Sequence, residues 1–143
     1  MYCTVDDLKI LCSEADLVQL SNDDPTATTI DQDNVDGAIS NASELIDGFL
    51  RGRYNLPLPT ASKIVEKIAV DLSIYELYRR RISIKMPDQV ADSYKNAMKL
   101  LEKIQNGGIS LGYESNDAVS PSKIQINKTA EDRLFSKDTL ELY

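Results

Sequence analysis

The chain has 143 residues, enough for one domain with an extended segment, and its 42% hydrophobic content supplies a core. Sixteen basic and 23 acidic side chains give a net charge of −7, which argues against a coat for nucleic acid or anionic membrane, because phosphate binding draws on dense Lys and Arg. Histidine is absent, which excludes Ser-His-Asp and Cys-His catalysis, HExxH zinc sites and any imidazole base from this chain.

The charge is uneven. Residues 1–34 carry −7, residues 35–108 carry +2, and residues 109–143 carry −2. The two cysteines, Cys3 and Cys12, are not spaced as CxxC and have no histidine to complete a zinc site, so they are expected to be reduced and partly buried in a cytoplasmic setting. The N-terminus lacks the basic start and apolar run of a signal peptide, and no stretch approaches about 18 apolar residues. A soluble protein without membrane contact is the expectation.

In chain order, Thr4 and Asp7 form a capping-box pattern that opens a short helix through Leu8 and Leu11. Ser13 caps a second turn, Glu14 to Leu20. Residues Ser21 to Asp33, rich in Ser, Asn, Asp and Thr around Pro25, read as a loop. Val35, Ala38, Ile39, Ala42, Leu45, Ile46, Phe49 and Leu50 then recur at helical spacing. Leu56-Pro57-Leu58-Pro59 ends that helix, since proline lacks an amide donor and pushes its predecessor toward extended backbone. With Arg53 and Tyr54 it makes a stiff elbow.

Thr60 or Ser62 caps the next helix, about Lys63 to Ile82, which is apolar around most of its circumference. Such a helix belongs either at the centre of a bundle or against another subunit. Pro87 suits the first turn of a last helix, with Asp88 near its positive end. Val90, Tyr94, Ala97, Met98, Leu101 and Ile104 form its stripe, Lys95, Lys99 and Lys103 line another face, and Gly107-Gly108 stops it. The expected class is all-α: a small bundle over residues 1–108 and an extended arm over 109–143. Within the arm, Lys123-Ile124-Gln125-Ile126-Asn127 alternates like a short strand.

No catalytic set emerges from the residues. Asp31-Gln32-Asp33-Asn34-Val35-Asp36-Gly37 fails as a calcium loop, because Val35 and Ala42 stand where ligands belong, and a capping cluster is the better reading. Gly48 to Gly52 spells GxxxG, but outside a membrane and around an arginine it signals nothing. No glycine-rich phosphate loop is present. A non-enzymatic protein without metal or cofactor is expected.

Two features point to partners. Arg79-Arg80-Arg81 is the dense basic feature, either solvated at a helix C-terminus or paired with acidic residues 1–34 of a second copy. Three consecutive residues cannot share one helix face, so at most two serve one surface. The arm carries Leu134, Phe135, Leu140, Leu142 and Tyr143, which a mere linker does not need; it either folds back or docks on a neighbour.

Several runs resemble the Mu-like phage and prophage head–tail connector family. They are Met1-Tyr2-Cys3-Thr4-Val5-Asp6-Asp7-Leu8; Ala42 through Leu58, with its Ile46-Asp47-Gly48-Phe49-Leu50 run, Arg53-Tyr54 and Leu-Pro elbow; Ile68 through Leu72; Tyr78-Arg79-Arg80; Tyr94 with Ala97; Gly108 through Gly112; and Arg133 through Leu140. The resemblance covers nearly the whole chain. It implies a helical adaptor in the virion neck, made in the host cytoplasm. Such an adaptor is a homo-oligomer that stacks as a twelvefold ring on the portal protein, contacts tail and neck proteins, and leaves a channel through which DNA passes without specific binding. The alternative is a small cytoplasmic binding module that recognises a protein or nucleic acid through Arg79–Arg81 and Lys95, Lys99 and Lys103.

Overall fold

The computed structural model describes residues 1–113, in which five helices form: α1 (Val5–Leu11), α2 (Glu14–Ser21), α3 (Gln32–Leu50), α4 (Lys63–Arg80) and α5 (Asp88–Gln105). Local chemistry sets their starts. The Thr4 hydroxyl accepts from the Asp7 amide while the Asp7 carboxylate accepts from the Thr4 amide at 2.8 Å, a complete capping box. Ser13 Oγ accepts from Asp16 N at 3.1 Å, and Asp31 Oδ1 from Asn34 N at 3.2 Å, so the acidic cluster before α3 is a cap. Ser62, rather than Thr60, caps α4. Pro87 stands one position before α5 and offers no side-chain cap, leaving Asp88 as the first helical residue.

The helix ends are equally local. α4 stops at Arg80, two residues short of the expected Ile82, because Arg81 turns out of helical geometry and its guanidinium reaches back toward α2. Ile82 is 93% exposed beyond that stop. After α5, Gly107 takes φ +82°, a left-handed conformation that side chains resist, and its N–H donates to Ile104 O at 3.2 Å.

α4 is the centre of the bundle. It packs on α3 and α5 and also touches α1 and α2. Val65, Ile68, Ala69, Val70, Leu72, Ile74 and Leu77 are buried, which explains why its apolar residues run round most of the circumference. Of the two settings its sequence allows, the first is realised within one chain. Each large side chain fully buried there contributes about 1.5–3 kcal/mol. The three polar side chains buried in the helices are satisfied, Ser73 Oγ donating to Ala69 O at 2.7 Å, Ser43 Oγ donating to Ile39 O at 2.8 Å, and Ser21 Oγ accepting from the Asp31 amide at 3.0 Å.

The elbow between α3 and α4 contains a cis Leu56–Pro57 bond, and Tyr54 and Leu58 are buried in it. Residues 109–113, the start of the expected arm, lie on this end of the bundle, with Ile109, Leu111 and Tyr113 packed against the core. The expected strand at Lys123–Asn127 and the apolar residues Leu134, Phe135, Leu140, Leu142 and Tyr143 lie outside the described residues. Among the described residues, no helix is long and apolar enough to cross a membrane.

Candidate functional site

The basic run divides in three dimensions. Arg79 is mostly exposed and pairs along its own helix with Glu76, Nη1 to Oε1 at 3.3 Å. Arg80 and Arg81 turn to the loop after α2. Arg80 Nη2 lies 2.7 Å from Asp23 Oδ2, and Arg81 Nη1 lies 3.5 Å from Asp23 Oδ1. Arg80 also donates to Leu20 O at 3.4 Å, and Arg81 to the Asn22 carbonyl. α2 has no basic residue in its last turn, so these two guanidinium groups supply the cations its negative end favours. The acidic partner that the sequence sought in a second copy is therefore provided by the same chain. Asp23 itself remains 81% exposed at the side chain, so the pair is a surface clamp.

The elbow is the better-built constellation. Tyr54 is 2% exposed, and its hydroxyl accepts from the Leu111 amide at 3.1 Å. Its ring meets Tyr113 edge-on with centroids 6.4 Å apart, and the Tyr113 hydroxyl donates to the Thr60 carbonyl. The Arg53 guanidinium lies 5.7 Å from the Tyr54 ring centroid and rests on Gly107, where any Cβ would collide with it. Among the described residues, Arg53 Nε is the one buried side-chain polar atom without a hydrogen-bond partner. Arg53, Tyr54, Leu58 and residues 107–113 thus form one unit that fixes the path of the chain up to Tyr113. Leu56 is half-buried against the same core, while Pro57 and Pro59 face solvent.

The N-terminus is tied to the same side of the molecule. The Tyr2 amide donates to Ser43 Oγ at 3.3 Å and its hydroxyl donates to the Asp47 carboxylate. Burial, then that carboxylate, push the Tyr2 hydroxyl far above the usual tyrosine range. Cys3 and Cys12 are both free and buried. Burial, with Asp16 nearby, pushes the Cys12 thiol up to about 11, which makes it a poor nucleophile at neutral pH. Among the described residues no three His, Cys, Asp or Glu side chains gather as a metal site.

Sequence reasoning missed Tyr113 and Tyr2 as structural anchors and the half-buried setting of Asp71. The one available signal was chemical: a tyrosine retained in a small chain usually finds a partner for its hydroxyl once buried. Nothing in linear spacing foretold which partner.

A family model described as Bacteriophage Mu, Gp36 matches residues 2–127. The chain belongs to the bacteriophage Mu Gp36 family. That match spans all five helices and the elbow, and it extends beyond Tyr113. Among curated relatives, the Mu-like prophage FluMu protein gp36 of Haemophilus influenzae is 34% identical over 99 residues, covering 69% of this chain and 67% of the relative. Gene product J of Escherichia phage Mu is 26% identical over 120 residues, covering 84% of this chain and 82% of its own length. The Mu-like phage family that the residue runs above resemble is thereby shown.

Proposed function

We propose that this Gp36-family chain is a head–tail connector, a non-enzymatic structural protein that assembles as a ring on the portal vertex and joins the capsid to the tail. The observation that carries the reading is the family match across residues 2–127, which takes in the connector-like runs from Tyr2 to Gly112 but not Arg133 through Leu140. The structure supports it through what the bundle is built to do. Its core is closed around α4, its elbow is braced by Tyr54 and Leu111, its two cysteines are buried, and Arg80 and Arg81 are paired with Asp23. Such a body is suited to presenting fixed surfaces to neighbours rather than to turning over a substrate. The net charge of −7 suits a wall beside passing DNA, since like charge discourages sticking.

The small binding-module reading draws no support from the arginine run, because Arg80 and Arg81 are engaged with Asp23 and the α2 carbonyls. Disrupting the gene in an inducible Mu-like prophage tests the connector reading directly. Electron microscopy of the lysate should then show DNA-filled heads and separate tails, with joining restored by supplying the protein. Complete virions from the disrupted prophage would overturn it. Deleting residues 129–143 should leave a folded helical body, measured by circular dichroism, that fails to restore joining; full restoration would show that the last fifteen residues anchor nothing.

A further inference from the structure

A groove of about 310 Å³ opens between the end of α1, the second half of α4 and the start of α5. Leu11, Ile74, Tyr78 and Val90 give it an apolar lining, and Asp16 and Asp71 stand in its wall. Its volume is near the lower bound of roughly 300–1,000 Å³ for ligand pockets, room for a few side chains rather than a large cofactor. Leu11 is 62% exposed there, next to Ile10, which is 80% exposed, while Leu8 of the same helix is buried. Asp71 is half-buried and forms no ion pair within 4 Å among the described residues. Burial raises its carboxyl above the usual range, with Lys67 one turn away pulling back. A desolvated carboxylate beside an apolar slot is matched by a cation flanking apolar side chains.

The sequence after Tyr113 contains one such segment. In Lys123-Ile124-Gln125-Ile126-Asn127-Lys128 the two isoleucines are two residues apart, so an extended backbone points them the same way, and lysines stand at both ends with no acid between them. Arg133-Leu134-Phe135-Ser136-Lys137 is a poorer match, because Glu131, Asp132 and Asp138 offset its cations. We propose that Lys123–Lys128 of the same chain docks in this groove, with Ile124 and Ile126 against Leu11, Ile74, Tyr78 and Val90 and with the lysines facing Asp71 and Asp16.

Reach favours the same chain over a second copy. Tyr113 is fixed beside Thr60 at the start of α4. From there to Asp71 and Tyr78 is about 12–22 Å along the helix at 1.5 Å per residue. The ten steps from Tyr113 to Lys123 span at most about 33–36 Å, so the tether reaches the groove with slack to pass round the bundle. A tether whose length suits the span gives an effective concentration in the millimolar range, on the order of a thousandfold above a micromolar solution of copies.

Zero-length carbodiimide cross-linking of the full-length protein tests this. Equal amounts of ¹⁴N- and ¹⁵N-labelled protein are mixed at micromolar concentration and the linked peptides are mapped by mass spectrometry. Asp71 or Asp16 should be joined to Lys123 or Lys128 within singly labelled pairs, and Ile124→Ser with Ile126→Ser should cut the yield roughly tenfold or more. Mixed-isotope pairs as the main product would assign the groove to a second copy and overturn the proposal. So would the lack of any such link, or a yield that the double substitution leaves unchanged.

Discussion

The two ends of α4 are closed by different means. At its start, Tyr54, Leu58, Leu111 and Tyr113 pack a largely apolar seal whose two tyrosine hydroxyls are bonded to backbone groups, and the N-terminal Tyr2 is tied down on neighbouring α3. At its finish, Arg80 and Arg81 hold the loop after α2 through an exposed carboxylate, Ile82 is 93% exposed, and the groove beside Asp71 is left unfilled by the described residues. The first end is a fixed point and the second a wet contact. Burial of apolar area is what distinguishes them energetically, because an exposed ion pair contributes little beyond its geometry.

The contrast is broken most forcefully at the sealed end. Tyr54→Ala removes a fully buried ring together with the acceptor of the Leu111 amide, and should cost about 3–5 kcal/mol in denaturant unfolding. A loss below about 1 kcal/mol would mean that the seal is not structural. Gly107→Ala, which forces a side chain into left-handed backbone and against Arg53, should cost about 1–2 kcal/mol. Glycine-to-alanine at exposed Gly37 inside α3, where a Cβ meets open space, serves as the control and should be neutral or stabilising.

Cys12, at the floor of the groove, sharpens the picture through pH. Its folded thiol holds the proton up to about 11, above an unfolded value of about 8.5, so its contribution is complete below about pH 8.5 and is lost as pH rises toward 11. Thermal melts should show stability falling across that window, with a shallower fall in Cys12→Ala. Part of the slope should remain, because burial also raises Cys3, Tyr2 and Tyr78. An unchanged slope in the variant would contradict the burial of this thiol. Arg80→Ala at the open end should have the smallest effect, about 0.2–1 kcal/mol at low salt and less at high salt. A larger, salt-independent cost would make the clamp part of the core.

What was legible in the sequence follows from the range of the interactions. Thr4 with Asp7, Ser13 with Asp16, Asp31 with Asn34 and Ser62 with Val65 are all three residues apart, so the first two helix starts could be read directly. By contrast, α3 begins at Gln32 inside the expected loop Ser21–Asp33, and the cap of α4 stayed open between Thr60 and Ser62. The central place of α4 was legible as one of two options, since a nearly all-round apolar helix needs neighbours on several sides. The contacts that shape the surfaces were not. Asp23 meets Arg80 across 57 positions, Tyr113 meets Thr60 across 53, and Tyr2 meets Asp47 across 45. Pairings of that kind depend on how the helices pack, which neither spacing nor composition encodes. The arginine run shows the consequence: its charge was evident, but the folding of the α2–α3 loop over the end of α4 decided its partner.

The connector assignment is tested most directly by mass in solution. Light scattering after size separation should be performed on the purified protein alone and mixed with the portal assembly of the same phage. The expected result is a stoichiometric complex that carries many copies of this chain on each portal ring. Portal and chain eluting separately with unchanged masses, at concentrations where both remain folded, would contradict it.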